Sequence, residues 1–245
     1  MPPTPNDRGQ LTKARAGATL LVLILFAAAA IALSKNSTYG PREAKPDVLL
    51  LTSLPLVFSE EFGLDQKGSA ILSALQSRYR VVPIDATDPA TLAKGRLLMM
   101  AQPRAQTAEN LVALDQWVRG GGRLLLLADP ALDWPSETPL GDPSRPPPMY
   151  PDTGLLAHWG LRLDSPDKRG PVAGHIAGQP VLTASPGRLS GQCAISDDGL
   201  VARCTLGRGK ATLIADADLL DIEALGADGS RNDRAILAEL DSLER

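Results

Sequence analysis

Short apolar runs recur along the chain, and segments with helical periodicity separate them. Asp47–Ser53 is a continuous apolar run of the kind that forms a strand buried on both faces. Further strands are predicted at 80–84, 96–101 and 123–128, with helices at 69–79 and 107–119. Strands that alternate with helices predict an α/β fold, in which helices cover both faces of a mostly parallel sheet to give three layers.

The most explicit unit of this pattern runs from Thr107 to Pro130. Thr107 can cap a helix, and Glu109 lies in the first turn, where the helix dipole favours a negative charge. Four apolar residues then share one helical face: Leu111, Leu114, Trp117 and Val118. Glycines at 120–122 end the helix, and the strand 123–128 leads into Asp129-Pro130.

The second half of the chain has a different character. Residues 131–153 are rich in proline and lack periodicity, which predicts a long loop before a short helix at 155–159. Strands predicted at 180–184, 191–195, 200–206 and 211–215 make the C-terminal part rich in β-hairpins. Helical patterns return at 219–225 and 232–243.

An uncharged apolar stretch of 18 residues, Ala16–Leu33, precedes the α/β pattern. A helix of that length is about 27 Å long and just spans a bilayer core. Either it is a retained anchor or it is a signal peptide cleaved after Ala30-Ile31-Ala32, and its length favours retention. The expected organisation is a cytoplasmic tail at 1–15, a transmembrane helix or uncleaved signal anchor at 16–33, a linker at 34–46 and a periplasmic α/β domain at 47–245.

Charge is distributed unevenly between these parts. Residues 1–46 carry six basic and two acidic side chains, whereas residues 47–245 carry 19 basic and 26 acidic ones. Protein affinity for nucleic acid rests on neutralising phosphates, so an acidic body argues against a nucleic-acid partner.

The two cysteines flank a turn signal, Ser196-Asp197-Asp198-Gly199. A two-residue hairpin loop at Asp198-Gly199 would place Cys193 directly opposite Cys204, within reach of a disulfide. A longer loop could shift the register, and two unrelated buried thiols are the alternative. A disulfide would indicate an oxidising compartment, which in a bacterium is the periplasm.

Familiar catalytic motifs do not occur in the sequence. It contains no HExxH or CxxC metal-ligand spacing and no G-x-S-x-G nucleophile turn, and Gly207–Lys210 lacks the spacing of a phosphate loop. We therefore predict no catalytic residue, no metal site and no cofactor.

Polar residues do follow the predicted strands, at the sheet edge where α/β proteins bind ligands. These candidate ligand-binding residues are Ser53, Gln102, Asp129, Asp216 and Asp218. A purely structural alternative is that Asp129-Pro130 marks a loop and that Asp218 caps the helix starting at Leu219. An enzymatic alternative is that Asp129 and Asp216 act as general acid and base on envelope glycans.

Three stretches resemble the gliding-motility-type ABC transporter auxiliary component family. Leu111–Pro130 is similar to its helix, glycine break and strand ending in Asp-Pro; Leu155–Leu163 is similar to its short helix, Gly-Leu and strand; and Gly207–Leu220 is similar to its glycine turn, strand and Asp-x-Asp ending. Arg231-Asn232-Asp233, ahead of the last helix, is similar to an asparagine segment of the family.

The resemblance implies a membrane anchor and an extracytoplasmic domain with the flavodoxin-like architecture of class I glutamine amidotransferases. Because the Cys-His pair of those enzymes has no counterpart here, it implies a non-catalytic domain. The expected function is therefore a periplasmic binding or auxiliary component at the inner membrane, with ABC permease and ATPase subunits as partners. A structural envelope protein that interacts through its proline-rich loop is a further alternative.

Overall fold

The computed structural model describes residues 45–57, 68–139, 141–196, 198–226 and 231–245. Its strands are β1 (Asp47–Thr52), β2 (Arg80–Pro83), β3 (Leu97–Ala101), β4 (Arg123–Leu127), β5 (Leu161–Asp164), β6 (Pro171–Ile176), β7 (Gln179–Ala184), β8 (Arg188–Gly191), β9 (Ala194–Ile195), β10 (Val201–Leu206) and β11 (Gly209–Ile214). Its α-helices are α1 (Ala70–Arg78), α2 (Pro89–Leu92), α3 (Ala108–Arg119), α4 (Leu155–His158) and α5 (Asn232–Glu244), with a 3₁₀ turn at Asp218–Leu220.

The central sheet has seven strands in the order β2-β1-β3-β4-β11-β10-β9. The first five are parallel, and β10 and β9 extend the sheet antiparallel. The five parallel strands follow the order 2-1-3-4-5 of flavodoxin-like folds, with β11 in the fifth place. The prediction of a mostly parallel α/β sheet is confirmed.

Side chains alternate between two apolar layers, one on each face of the sheet. Met99 and Leu125 belong to the layer formed with α1, α5 and the 3₁₀ turn. Leu98 and Leu124 belong to the layer formed with α2, α3 and α4. Every residue of β3 is buried, which explains why its sequence reads as one apolar run without alternation.

The helix-to-strand unit around α3 forms as its sequence predicts. The Thr107 hydroxyl accepts a hydrogen bond from the Asn110 N–H at 3.3 Å, which caps the helix. Gly121 leaves the helix with φ +119°. At Gly122 a Cβ would lie 2.4 Å from the Trp117 ring, so only glycine allows the chain to turn tightly into β4.

The C-terminal half is rich in hairpins, as predicted, but it differs in three details. β6 was not predicted; it pairs with β7 because Ala177 and Gly178, with φ of +51° and +75°, form a tight two-residue turn. The single strand expected at 191–195 is two short strands, because the chain turns at Gly191, where a Cβ would lie 2.1 Å from the Gly160 carbonyl oxygen.

The third difference is that the prediction of a helix at 219–225 is wrong. The chain makes a 3₁₀ turn at Asp218–Leu220 and then a series of turns up to residue 225. Helical periodicity is overridden here because the carboxylates of Asp216 and Asp218 bond to other segments of the chain. Asp218 therefore does not cap a helix; its carboxylate accepts from the Asp133 N–H at 2.8 Å.

The disulfide prediction is confirmed. Cys193 and Cys204 are bonded, with their Cα atoms 4.8 Å apart. Strands β9 and β10 pair Ile195 with Ala202 and Ala194 with Arg203, a register that continues to the two cysteines. The chain closes between Ser196 and Val201 rather than in a two-residue loop, since the Ser196 N–H donates to the Val201 carbonyl at 2.8 Å. The longer loop keeps the expected register.

The predicted tail, transmembrane helix and most of the linker, at 1–44, lie outside the described residues. Within the part of the chain that the structure describes, no helix combines the length and the apolar character needed to cross a membrane.

Candidate functional site

The five predicted site residues all lie at the carboxyl edge of the parallel sheet, directly after strands β1, β3, β4 and β11. Hydrogen bonds link Ser53, Gln102 and Asp129 across this edge and continue to the loop that carries Asp216 and Asp218. The Ser53 hydroxyl donates to the Gln102 carbonyl oxygen, the Gln102 side chain bonds to the Asp129 main chain, and the Asp129 carboxylate accepts from the Ala217 N–H, between Asp216 and Asp218. The tertiary structure therefore brings together residues that are far apart in the sequence.

The Gln102 side chain extends the hydrogen bonding between β3 and β4 beyond the ends of the two strands. Its Oε1 accepts from the Asp129 N–H at 2.9 Å, and its Nε2 donates to the Asp129 carbonyl at 3.2 Å and the Pro147 carbonyl at 3.0 Å. The residue is fully buried, and its φ of +41° is unusual outside glycine. These bonds attach the proline-rich loop to the sheet and leave the amide no free polar atom.

Asp129 holds two loops together. One carboxylate oxygen accepts from the Ala131 N–H and the other from the Ala217 N–H, both at 2.8 Å. Burial raises the pKa of Asp129 above its ordinary value, although these main-chain bonds partly oppose the rise.

Asp216 and Asp218, which follow β11, also accept hydrogen bonds from main-chain N–H groups. Asp216 is fully buried and accepts from the Leu219 N–H at 2.7 Å and the Ala184 N–H at 2.9 Å. Burial, followed by the charges of Asp129 and Asp218, raises the pKa of Asp216 well above its usual range. Burial is also the largest cause that raises the pKa of Asp218 to about 8.

These carboxyl groups are therefore occupied by the chain's own main-chain N–H groups. Among the described residues, no buried side-chain nitrogen or oxygen is left without a hydrogen-bond partner. Within the described ranges, no three His, Cys, Asp or Glu side chains are placed to hold a metal ion. In this conformation the edge stabilises the loops that cross it, and it does not present two open carboxylates to a substrate.

Asn232 is a further buried polar residue at this end of the molecule, within the asparagine segment noted in the sequence. Its Oδ1 accepts from the Leu182 N–H at 3.0 Å, and its Nδ2 donates to the carbonyls of Leu182 at 2.7 Å and Leu219 at 2.8 Å. It therefore ties α5 to β7 and to the 3₁₀ turn. The sequence alone indicates no role for Asn232. Its three hydrogen bonds give it a structural one.

An open cleft of about 590 Å³ lies elsewhere, between α3 and the start of α4. A volume of this size is within the range of small-ligand sites, about 300–1,000 Å³. The cleft is lined by Gln106, Ala108, Leu111, Val112, Asp115, Gln116, Thr153, Gly154, Leu155 and His158. Val112 is 57% exposed, one of two large hydrophobic side chains exposed in the described part of the chain.

Asp115 is the charged centre of this cleft. Its carboxylate accepts from the Trp159 Nε1 at 2.8 Å and the Arg119 Nε at 2.9 Å, and the His158 Nε2 lies 3.5 Å away. Burial pushes the pKa of Asp115 up, but the bonds from Trp159 and Arg119 outweigh it, so the pKa is lowered. Asp115 therefore stays ionised and places a negative charge beside the apolar residues of the cleft.

The sequence predictions missed this cleft. A stripe at Ala108, Leu111, Val112, Asp115 and Gln116 has helical spacing, and this stripe could have indicated a second partly apolar face on α3. The opposite wall comes from α4, more than thirty residues later, and its position against α3 is a tertiary property.

Comparison with solved structures shows related folds. The chain is similar to an exo-beta-1,4-mannosidase from Opitutaceae bacterium strain TAV5, with 13% identity, a TM-score of 0.51, and coverage of 80% of this chain and 36% of that chain. It thus spans about a third of the mannosidase's length. At this identity the likeness shows the fold alone.

Two other solved structures match with lower scores. A beta-galactosidase from Rahnella sp. R3 has 14% identity and a TM-score of 0.47, with coverage of 82% of this chain and 31% of that chain. A cytoplasmic protein from Salmonella typhimurium has 11% identity and a TM-score of 0.46, with coverage of 80% and 98%. A comparison with curated proteins finds no match.

Comparison with family models identifies one family. Residues 45–167, which include β1 to β5 and both walls of the α3–α4 cleft, match the model described as an ABC-type uncharacterized transport system. This match covers half of the chain and agrees with the family resemblance of its sequence motifs. The chain therefore belongs to the ABC-type uncharacterized transport system family, as an auxiliary component.

Proposed function

We propose that this protein is a membrane-anchored, periplasmic and non-catalytic component that binds a partner of its ABC-type transport system through the α3–α4 cleft. The observation that carries the proposal is the contrast between the two sites. The strand-end carboxyl groups are taken up by the chain's own backbone, whereas the cleft is open and exposes Val112.

The periplasmic location is supported by the disulfide between Cys193 and Cys204, because disulfides persist in oxidising compartments. The apolar stretch 16–33 supplies a means of anchoring. A thiol-reactive label applied to the protein denatured without reductant tests the compartment. We expect neither cysteine to be labelled; two free thiols would contradict a periplasmic location.

The non-catalytic role is supported by the hydrogen bonds of Asp129 and Asp216. A carboxyl group acting as general acid or base must reach the substrate, but both of these groups are fully buried and bonded to main-chain N–H groups. A glycan hydrolase that uses this pair would lose turnover in Asp129→Asn and Asp216→Asn variants. We expect no glycan-cleaving activity in the unmodified protein.

Partner binding is tested by recovery of transporter subunits. The tagged full chain is extracted from membranes, and the co-purified permease and ATPase are measured for the unmodified protein, Val112→Lys and Met149→Lys. Met149, which is 61% exposed and lies outside the cleft lining, is the matched control. We expect Val112→Lys to reduce recovery at least tenfold and Met149→Lys to leave it unchanged. Equal recovery in both variants would contradict binding through the cleft.

A further inference from the structure

We infer that the buried carboxyl groups of Asp129 and Asp218 form a proton-operated latch, which holds residues 131–133 against the carboxyl edge of the sheet. This inference goes beyond the proposed function and does not depend on it. It concerns a conformational change at the carboxyl edge of the sheet, which is closed in this structure.

The latch is reciprocal, since each carboxyl group bonds to the loop that carries the other. Asp129, which follows β4, accepts from the Ala217 N–H in the loop after β11 at 2.8 Å. Asp218, which lies in the loop after β11, accepts from the Asp133 N–H in the loop after β4, also at 2.8 Å. Two hydrogen bonds therefore join the loops, one accepted by Asp129 and the other by Asp218.

Burial of the carboxyl groups of Asp129 and Asp218 favours a proton on one of them. Both residues are almost completely out of contact with solvent, at 0% and 4% exposure. Two negative charges in that position would repel each other strongly because water cannot screen them.

The groups around the pair add negative charge. Asp216 is fully buried beside it, and Asp133 accepts from the Ser185 hydroxyl at 2.7 Å. Arg169 lies 3.7 Å from the Asp133 carboxylate, with its own side chain 72% exposed, so water weakens its compensating effect. Loss of the proton therefore leaves several carboxylates in a poorly compensated cluster.

Opening of residues 131–133 relieves this repulsion by exposing the carboxyl groups to water. In the closed form, burial raises the pKa of Asp218 to about 8, whereas an exposed aspartate titrates near 4. The opening equilibrium should therefore rise with pH between about 4 and about 8, by at most about tenfold per pH unit, and level off above that range. Opening uncovers the ends of β4 and β11, at the edge where α/β sheets bind ligands.

Hydrogen exchange of the full chain, read by mass spectrometry on peptides covering 129–135 and 215–220, tests the latch. Exchange is measured from pH 5 to pH 9 and divided by the intrinsic rate at each pH. We expect the opening constant of the unmodified protein to rise several-fold per unit up to about pH 8. We expect Asp218→Asn to abolish the rise, because a neutral amide can donate to Asp129 and accept from Asp133 at every pH.

Asp221→Asn is the matched control, since this carboxyl lies three residues further on and accepts from the Ala224 N–H at 3.1 Å. It should keep the pH dependence of the unmodified protein. The same pH dependence in Asp218→Asn as in the unmodified protein would overturn the latch. If Asp218→Asn does not fold, titration of the ¹³C-labelled carboxyl groups in the unmodified protein decides: all aspartates titrating near pH 4 would equally overturn it.

Discussion

Arg203 on β10 and Glu239 on α5 form a two-point ion pair that joins the antiparallel edge of the sheet to the last helix. The Nε and one terminal nitrogen of Arg203 donate to the two carboxylate oxygens of Glu239, at 2.9 and 2.6 Å. Thr212 on β11 donates to the same carboxylate at 2.8 Å. Glu239 is 1% exposed, so these hydrogen bonds replace the water that a carboxylate loses on burial.

Replacing Arg203 alone should lower the free energy of unfolding by more than replacing Arg203 and Glu239 together. Arg203→Met leaves a buried carboxylate with only the Thr212 hydroxyl, and we expect a loss of about 2–3 kcal/mol in the free energy of unfolding. The loss stays below the value for a fully buried pair because the Arg203 side chain is 43% exposed. Denaturant unfolding should show the double variant Arg203→Met/Glu239→Met to be more stable than Arg203→Met. A less stable double variant would contradict this account.

The disulfide should stabilise the β9–β10 hairpin mainly by restricting the unfolded chain. It closes a loop with a sequence separation of 11, for which the loss on removal is about 2–3 kcal/mol. We expect Cys193→Ala/Cys204→Ala to lower the free energy of unfolding by this amount. Unfolding of the unmodified protein in reductant is the control and should show a similar loss. No difference between oxidised and reduced protein would refute the prediction.

Asn232 should be among the most sensitive polar positions of the chain. Asn232→Ala leaves the Leu182 N–H and the Leu182 and Leu219 carbonyls without this partner, and we expect a loss of about 2–4 kcal/mol. Arg234→Ala, an exposed position on the same helix, is the matched control and should change stability by less than about 0.5 kcal/mol. Thermal or denaturant unfolding measures both variants, and equal losses would show that the Asn232 bonds contribute little.

Stability should fall as pH rises through neutrality. Burial raises the pKa of Asp218 to about 8 and moves that of Asp216 in the same direction, so the folded protein binds protons that the unfolded chain has released. Their contribution is fully present below about pH 4 and is lost as pH rises to about 8. We expect the free energy of unfolding to drop by about 2–4 kcal/mol between pH 5 and pH 8.

Denaturant unfolding of the unmodified protein at several pH values in this range measures the drop. The lowered pKa of Asp115 acts in the opposite direction, but its contribution is lost only as pH falls through the acidic range below about 4. A stability that rises from pH 5 to pH 8 would therefore contradict the buried state of the aspartate cluster.

Much of the fold follows from local sequence. The continuous apolar runs of β3 and β4 indicate strands buried on both faces, and the Thr107 cap and the glycines at 120–122 bound α3 closely. The turn signal at 196–199 predicts that Cys193 faces Cys204, and the structure confirms the disulfide although its loop is longer than two residues. These features depend on neighbouring residues, so a pattern of a few residues carries the information.

Other features depend on which distant segments meet, and their local patterns were misleading or silent. The periodicity at 219–225 predicts a helix, yet the bonds of Asp216 and Asp218 to Ala184 and Asp133 hold the chain in turns. The sequence likewise placed Asp129 and Asp216 at a ligand-binding edge, and it could not show that main-chain N–H groups from other loops occupy them.

By itself, then, the sequence determined the strands of the parallel sheet, the main helices, the pairing of the two cysteines and the edge of the sheet where the polar residues gather. Only the tertiary structure decided the insertion of β11 beside β4, the burial of the carboxyl groups of Asp129, Asp216 and Asp218, and the cleft between α3 and α4. The physical reason is the distance along the chain over which each kind of interaction acts. Periodicity and turn propensity act within a few residues, whereas hydrogen-bond partners, burial and pKa are set by segments that only the folded chain brings into contact.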